Sequence, residues 1–238
     1  MPNHVYTRIT ISDPTKKQKE ILKQIKLDGG LCRYYLPFPK ELDGISNGST
    51  TIDGKSVRNW RTIDGNYIPL SEKEVKKLKE KYGATNWYDW CLNNWGTKWG
   101  CYEFGMADDV IMFTSAWCPI GDNIIRMFAK DFPSFIYSWE EEQGYGSEMD
   151  FEDGECVMQW DYDCPEWEEI EEVDTKDNIC YTITKLLSEH PNFENGVGYY
   201  ADYSNDFLGK TLKEAKENLN IDPTIWSSRD IEWEKENL

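Results

Sequence analysis

Basic residues are missing from the middle of this chain, where no Lys or Arg occurs between Lys130 and Lys176. The 45 residues from 131 to 175 nevertheless contain 17 of the 44 Asp and Glu, so the other 193 residues carry 27 acids against all 26 bases. Almost the entire net charge of −18 therefore belongs to one segment. Such a field repels nucleic acids, anionic membranes and free nucleotides, and it attracts basic protein surfaces.

Long apolar runs are also missing, since no stretch reaches the roughly 18 residues that a membrane-spanning helix needs. The start, Met1-Pro2-Asn3-His4, lacks the basic and apolar regions of a signal peptide. We therefore expect a cytoplasmic protein that has no membrane partner. The seven cysteines are odd in number and irregularly spaced, which predicts free thiols in a reducing compartment rather than a disulfide framework.

The residues that usually carry chemistry are scarce. His4 and His190 are the only histidines, and the cysteines lack the C-x-x-C spacing of a zinc site, so we expect neither a metal nor a cofactor. No glycine-rich phosphate-binding motif is present. Cys118 precedes a proline in a strand-to-helix turn and is a candidate reactive thiol, but the sequence shows no base beside it. An enzyme is thus the least favoured class, and a binding protein is preferred.

The apolar pattern predicts an α+β fold with an antiparallel sheet and helices on one face. Strands are predicted at 5–12, 101–106, 110–117 and 134–140, where β-branched and aromatic residues are frequent. Capping signals predict helices after Asp13, Ser71 and Thr211, and apolar spacing predicts further helices at 86–94, 122–130 and about 175–187. Because strands and helices do not alternate regularly, a parallel sheet is not expected. The remaining expectations are a short strand within 31–43, a surface loop at 44–70, a turn at Asp108-Asp109, and a hairpin turning at Asp153-Gly154 with one apolar and one acidic face.

Several short motifs occur together in this chain, and N-W-G-T-K-W at 94–99 is the most specific of them. The others are the start M-P-N-x-x-Y-x-x-I-T-I, L-P-F-P-K-E-L at 36–42, A-W-C-P at 116–119, and F-P-S-F-I-Y followed by an acidic E-x-G-x-G pattern at 141–146. Together they resemble the YubB-type ferredoxin-like proteins that plasmids and phages encode. The resemblance implies a ferredoxin-like domain over 1–172, without an iron–sulfur cluster and with an inserted loop and helices at 44–95. Residues 173–238 are predicted as a C-terminal α/β extension, mainly helical, packed on that domain.

The N-W-G-T-K-W motif allows two interpretations. Trp95 and Trp99 flank a glycine turn with Lys98 as the one cation between them, which suits an aromatic platform for a ligand or a base. Alternatively, the motif ends a helix and its tryptophans fill the core between sheet and helices. The structural interpretation is favoured over the functional one, and the resemblance does not decide between them.

The acidic hairpin carries the leading functional hypothesis. Carboxylates on one strand face recur about every 6.5–7 Å, and phosphates of one DNA strand recur about every 3.4 Å along the helix axis. Together with the mobile-element origin that the resemblance implies, this spacing leads us to expect a phage or plasmid protein that mimics nucleic acid and inhibits a basic host protein that binds nucleic acid, such as a CRISPR effector, a restriction enzyme or another anti-phage nuclease. It would not contact nucleic acid directly. The alternative is a non-inhibitory phage interaction or replication accessory module. The candidate partner-binding residues are Glu140, Glu141, Glu142, Glu148, Asp150, Glu152, Asp153, Asp161, Asp163, Glu166, Glu168 and Glu169.

Overall fold

The computed structural model describes residues 3–46, 48–52, 54–107, 109–176, 179–202 and 206–219. Met1 and Pro2 of the first motif, Asp108 of the predicted turn, and residues 220–238 of the predicted extension lie outside these ranges. The fold is mixed α+β with antiparallel sheets, as the apolar pattern predicts. The chain divides into two compact units, which comprise residues 1–161 and 162–238 and are hereafter called unit 1 and unit 2.

A six-stranded sheet organises unit 1. Its central strand β1 pairs antiparallel with β8 on one side and with β9 on the other. The strand order across the sheet is β11-β10-β9-β1-β8-β7, so the hairpin of β10 and β11 extends one edge. The strands are β1 His4–Ile11, β7 Tyr102–Ala107, β8 Val110–Ala116, β9 Phe135–Glu141, β10 Gly146–Glu152 and β11 Glu155–Tyr162.

The residues of β1 alternate between two environments, because successive side chains of a strand point to opposite faces. Val5, Thr7, Ile9 and Ile11 are buried, whereas Tyr6 and Arg8 between them are exposed. The buried face joins a core that also contains residues of the helices α1 Lys16–Leu27, α2 Leu31–Tyr35, α4 Trp87–Trp95 and α5 Asp122–Asp131. The helices therefore pack on one face of the sheet, as expected from the sequence.

The segment between α2 and β7 is an insertion with its own small structures. A two-stranded and a three-stranded sheet replace the predicted surface loop at 44–70, because tight turns such as Asp64-Gly65, with φ of 48° and 78°, allow short hairpins. The helix α3 follows with the capping box that Ser71 and Glu74 predict. The elements are β2 Ile45–Ser46, β3 Thr50–Ile52, β4 Lys55–Val57, β5 Trp60–Ile63, β6 Asn66–Pro69 and α3 Glu72–Tyr82.

Unit 2 contains a four-stranded antiparallel sheet in the order β12-β13-β14-β15, followed by one described helix. Its core gathers Val173, Ile183, Ala201, Leu208 and Ala215. The helix begins with the capping box of Thr211 and Glu214. The elements are β12 Trp167–Asp174, β13 Cys180–Leu186, β14 Tyr199–Ala201, β15 Phe207–Gly209 and α6 Leu212–Asn218.

Three local expectations from the sequence are wrong. The helix predicted over 175–187 is strand β13, because Ile183, Thr184 and Lys185 pair with strands on both sides. Consequently the described part of 173–238 contains more strand than helix and is not mainly helical. The strand expected within 31–43 is instead α2 and a short 3-10 helix at Lys40–Leu42, since burial of Leu31 and Cys32 favours a helical turn there. The division between units falls after Asp161, eleven residues before the expected domain boundary at 172.

Among the described residues, no helix is both long enough and apolar enough to cross a membrane.

Candidate functional site

The exposed face of the six-stranded sheet carries acidic residues in register. Residues directly opposite each other on neighbouring strands share a face. Glu140 lies opposite Tyr6, and Glu148 lies opposite Ser138, which in turn lies opposite Arg8. Asp150 lies opposite Ile136 in the same way. Glu140, Glu148 and Asp150 thus share the face that is opposite the helices, which we call the open face.

Exposed apolar side chains occupy the open face beside these carboxylates. Tyr6, Met112 and Ile136 are all exposed there, and they come from the three adjacent strands β1, β8 and β9. Arg8 is the only Lys or Arg in β1, β8, β9 and β10. Large exposed apolar residues surrounded by polar ones mark an interaction surface more often than a merely solvated one. The open face therefore combines apolar contact area with negative charge.

Glu103 adds a carboxylate that the sequence hypothesis missed. It has a φ of 50° at an irregularity of β7, and its carboxylate accepts a hydrogen bond of 3.0 Å from the Thr114 hydroxyl. Thr114 lies opposite Tyr6, so this bond brings Glu103 to the open face. The residue escaped notice because it is far in sequence from the acidic segment and only strand pairing brings it close.

Glu141 does not belong to the open face, so its assignment as a partner-binding residue is wrong. It lies opposite Val5 on the helix-facing side and is only 1% exposed. One of its carboxylate oxygens accepts a hydrogen bond of 2.7 Å from the Gln143 backbone N–H. The side chain is turned inward because adjacent residues of a strand point to opposite faces, and Glu140 already points outward.

The other predicted residues of unit 1 are accessible but lie at strand ends and in turns. Glu142 is exposed and accepts a hydrogen bond from the His4 backbone N–H. Glu152 and Asp153 form the exposed end of the β10–β11 hairpin. Both carboxylate oxygens of Asp161 accept hydrogen bonds from Gln159, which lower the pKa of Asp161 below its ordinary value.

Four predicted residues, Asp163, Glu166, Glu168 and Glu169, belong to unit 2 and are exposed there. Glu168 lies opposite Lys185 in the pairing of β12 with β13, so a cation neighbours this part of the acidic run. Glu171 similarly forms an ion pair with Lys216. The acidic segment is therefore not one continuous strand face, but is shared between two sheets.

The β10–β11 hairpin differs from the expected two-faced ribbon. All residues of β11 except Tyr162 are exposed, including Val157, Met158 and Trp160. The predicted apolar face is therefore buried only on β10, where Phe151 belongs to the core cluster of unit 1, whereas β11 is the edge strand of the sheet and lies outside that cluster.

The first half of the N-W-G-T-K-W motif is structural, as the favoured interpretation predicts. Trp95 is buried and its indole N–H donates a hydrogen bond of 2.9 Å to the Leu36 carbonyl. Gly96 ends α4 with a φ of 76° and lies against Gly121, whose N–H donates to the Trp95 carbonyl. The buried Thr97 hydroxyl donates to the Ala116 carbonyl at 2.7 Å and accepts from the Ala116 N–H at 3.0 Å.

The motifs that carry the family resemblance contact each other in the fold. The N–H of Trp117 in A-W-C-P donates to the carbonyl of Asn3 in the first motif. Phe38 of L-P-F-P-K-E-L packs edge-on against Trp90, and it also contacts Trp95 of N-W-G-T-K-W. Four segments that are distant in sequence therefore meet around the C-terminal end of α4.

The second half of the motif is accessible. The Lys98 ammonium lies 4.4 Å from the centre of the Trp99 ring and 4.8 Å from that of the Trp117 ring. Trp99 is 41% exposed and contacts Tyr102 edge-on. Trp99 is thus accessible for a contact with a ligand, whereas Trp95 belongs to the core.

A cavity of about 550 Å³ adjoins this part of the motif. Its volume lies within the range of small-molecule sites, about 300–1,000 Å³. Aromatic walls come from Tyr34, Phe38, Trp87, Trp95 and Trp99. The charged groups that line it are Arg33, Lys40, Lys98, Asp28 and Asp43.

The cavity also contains a thiol and several residues that the sequence hypothesis missed. Burial raises the pKa of the Cys91 thiol to about 11, so this group stays neutral at physiological pH. Arg33, Phe38 and Lys40 escaped notice because they lie on the segment expected to be a short strand, about 60 residues before the motif. Their meeting with the motif results from the packing of L-P-F-P-K-E-L on α4.

All seven cysteines have free thiols, and the buried Cys32 and Cys101 lie with their sulfurs 3.5 Å apart. Cys118 is exposed. Within the described ranges, no three His, Cys, Asp or Glu side chains come together as metal ligands.

Comparison with known proteins adds no relative: no family model matches the chain, and neither a curated protein nor a solved structure matches it.

Proposed function

We propose that this protein binds a basic protein partner through the open face of unit 1 and thereby occupies the partner's nucleic-acid-binding surface. The observation that carries the proposal is the composition of that face. Tyr6, Met112 and Ile136 are exposed at its centre, beside the carboxylates of Glu140, Glu148 and Asp150. Apolar area supplies affinity in protein interfaces, whereas complementary charge supplies specificity and fast association.

The spacing of the carboxylates suits a partner that normally binds phosphates. Neighbouring strands are about 4.8 Å apart and same-face residues along one strand about 6.8 Å apart. Glu140, Glu148 and Asp150 therefore form a two-dimensional array of negative charges with separations comparable to those of phosphates in nucleic acid. Arg8 is the only Lys or Arg in β1, β8, β9 and β10.

A ferredoxin-like fold for unit 1 forms part of the proposal. The elements β1, α1, β7, β8, α5 and β9 follow the order strand, helix, strand, strand, helix, strand. Their arrangement in the sheet is β9-β1-β8-β7, which places the fourth strand of this set beside the first. This order supports the split βαβ arrangement of ferredoxin-like domains. In such a domain the face opposite the helices is available for binding.

The biological setting that we propose is a phage or plasmid that inhibits a host defence factor, such as a CRISPR effector, a restriction enzyme or another anti-phage nuclease. It is supported by the resemblance of N-W-G-T-K-W and the accompanying motifs to YubB-type proteins. A non-inhibitory interaction or replication accessory module would use the same face. The two roles differ in whether the bound partner loses its ability to bind DNA or RNA.

The test uses charge reversal on the open face. The partner is recovered from a lysate of the source host with the wild-type protein, purified, and its Kd measured for variants. The triple variant Glu140→Lys, Glu148→Lys, Asp150→Lys should weaken binding at least about a hundredfold, because attraction turns into repulsion. The matched control Glu20→Lys, Glu72→Lys, Glu80→Lys changes the net charge equally on α1 and α3 and should leave the Kd within about threefold.

Two further measurements complete this test. Affinity should fall steeply as the salt concentration rises, because exposed charges are screened. A DNA or RNA oligonucleotide should compete with the protein for the partner. Equal affinity of the triple variant and the wild type would refute the open face as the binding surface, and a partner that binds nucleic acid undisturbed in the complex would refute mimicry. The single variant Glu148→Lys serves if the triple variant does not fold.

A further inference from the structure

The cavity beside N-W-G-T-K-W is lined by three cations that form no ion pair among the described residues. Arg33 comes from α2, Lys40 from the short 3-10 helix and Lys98 from the turn after α4. Among the described residues, none of the three forms an ion pair. In a protein with 44 acidic residues, three cations that line one cavity without forming an ion pair are an unusual arrangement. They outnumber the two aspartates, Asp28 and Asp43, that also line the cavity.

The aromatic walls of the cavity are held rigidly. The Trp95 indole is fixed by its hydrogen bond to the Leu36 carbonyl, and Gly100 lies so close that an added Cβ would be 2.9 Å from the Trp95 ring. Phe38 contacts Trp90 and Trp95. Trp99 stands at the mouth with its ring partly accessible. A large indole left accessible beside fixed rings provides a surface on which a planar ligand can stack.

The side chains that line this cavity carry more positive than negative charge, unlike the molecule as a whole. No residue of the acidic segment 131–175 lines it, and the only thiol in its wall is neutral because burial raises the pKa of Cys91 to about 11. Charges farther away than about 8–10 Å are largely screened at physiological ionic strength. The local balance of cations over carboxylates therefore decides which ligands can enter.

We propose that the cavity binds a nucleoside phosphate, with the base stacked against the aromatic wall at Trp99 and the phosphate held among Arg33, Lys40 and Lys98. A ligand with one carboxylate would need only a single cation. Three cations match a ligand with a phosphate group, which carries about −1.5 to −2 charges at neutral pH. Stacking of one base on an aromatic side chain contributes about 1–3 kcal/mol. The binding site does not depend on the open face, so either proposal can fail alone.

Isothermal titration calorimetry with the full chain tests this inference. The probes are AMP, ADP, GMP and UMP, with adenosine and inorganic phosphate as the two halves of the ligand. At least one nucleoside phosphate should bind with a Kd of about 100 µM or lower. Adenosine and inorganic phosphate should each bind at least about tenfold more weakly, because each engages only the rings or only the cations.

Matched variants locate the site. Trp99→Ala and Lys40→Ala should each raise the Kd at least about tenfold, a change worth about 1.4 kcal/mol. Trp160→Ala and Lys130→Ala remove an exposed indole and an exposed ammonium outside the cavity and should leave the Kd within about twofold. Thermal midpoints near that of the wild type establish that the variants are folded. A Kd above about 1 mM for all four nucleotides, or a Kd that Trp99→Ala leaves unchanged, would overturn the proposal.

Discussion

Thr97 shows how one buried hydroxyl connects two distant segments. The side chain is inaccessible to solvent, and its oxygen both donates to the Ala116 carbonyl and accepts from the Ala116 N–H. The two bonds join the turn after α4 to the end of β8. Since Lys98 and Trp99 follow directly, Thr97 also fixes the backbone from which the accessible side chains of the cavity project.

Replacement of this hydroxyl should destabilise the fold measurably. Thr97→Val keeps the shape of the side chain but leaves the N–H and carbonyl of Ala116 without partners, which should cost about 1–3 kcal/mol of the free energy of unfolding. Urea unfolding, followed by tryptophan fluorescence, measures the loss. Thr62→Val, at an exposed position of β5, serves as the control and should change stability by less than about 0.5 kcal/mol. An equal effect of the two substitutions would contradict the role assigned to Thr97.

At the scale of elements, the ends of α3 and α4 look alike but differ in their surroundings. Both helices end at a glycine in the left-handed conformation, Gly83 with a φ of 71° and Gly96 with a φ of 76°. A Cβ on Gly83 would meet no atom within 4 Å. A Cβ on Gly96 would lie 2.7 Å from the backbone nitrogen of Gly121. A side chain at Gly83 is therefore disfavoured by the backbone conformation alone, whereas a side chain at Gly96 is also disfavoured by packing.

This difference predicts unequal costs for the same substitution. Gly83→Ala should lower the free energy of unfolding by about 1–2 kcal/mol, the cost of a left-handed conformation for a residue with a Cβ. Gly96→Ala should cost at least about 1 kcal/mol more, because the added methyl group forces the α4–α5 contact apart. Chemical denaturation of both variants gives the comparison. If Gly96→Ala is no worse than Gly83→Ala, the close approach to Gly121 is not a constraint.

Element identity itself was sometimes undecidable from the sequence. At β13 and the residue before it, the spacing of Ile179, Ile183 and Leu186 suits a helix, and only pairing with β12 and β14 decides for the strand. At α2 the sequence predicts a strand and the structure has a helix. Leu31 and Cys32 are buried there, and Tyr35 donates a hydrogen bond to Asp131 of α5. Propensity is a weak signal in such short segments, and tertiary contacts override it.

At the scale of the whole molecule, each unit has a hydrophobic core of its own. The core cluster of unit 1 contains residues from Ile9 to Phe151, and that of unit 2 contains residues from Val173 to Ala215. A chain of about 160 residues can bury about two thirds of its surface on folding. Unit 1 therefore has enough core to be stable without the rest of the chain.

Truncation tests this independence. A fragment of residues 1–165 keeps all six strands of the large sheet and should unfold cooperatively in urea, with the dispersed amide spectrum of a folded domain. A fragment of residues 1–133 is the control, because it lacks β9–β11 and leaves one side of β1 unpaired. The control should not unfold cooperatively. Absence of a cooperative transition in the 1–165 fragment would mean that the first core is insufficient alone.

The sequence by itself determined the fold class, most strands and helices of unit 1, and the location of the negative charge. Periodicity and capping signals are local, so they predicted β1, β8, β9, α3 and α5. Charge counts need no structure at all. The distribution of charge along the sequence also identified the acidic residues of the open face apart from Glu103, although it wrongly included Glu141.

Only the tertiary structure decided which residues share a surface. Register turned Glu141 inward and Glu140 outward, and pairing across the sheet brought Glu103 to the open face. The cavity arose in the same way, because Arg33 and Lys40 meet Trp99 only when the segment after α1 packs on α4. Contacts between residues about 60 positions apart leave no periodic trace in the sequence, since their closure depends on the packing of whole elements.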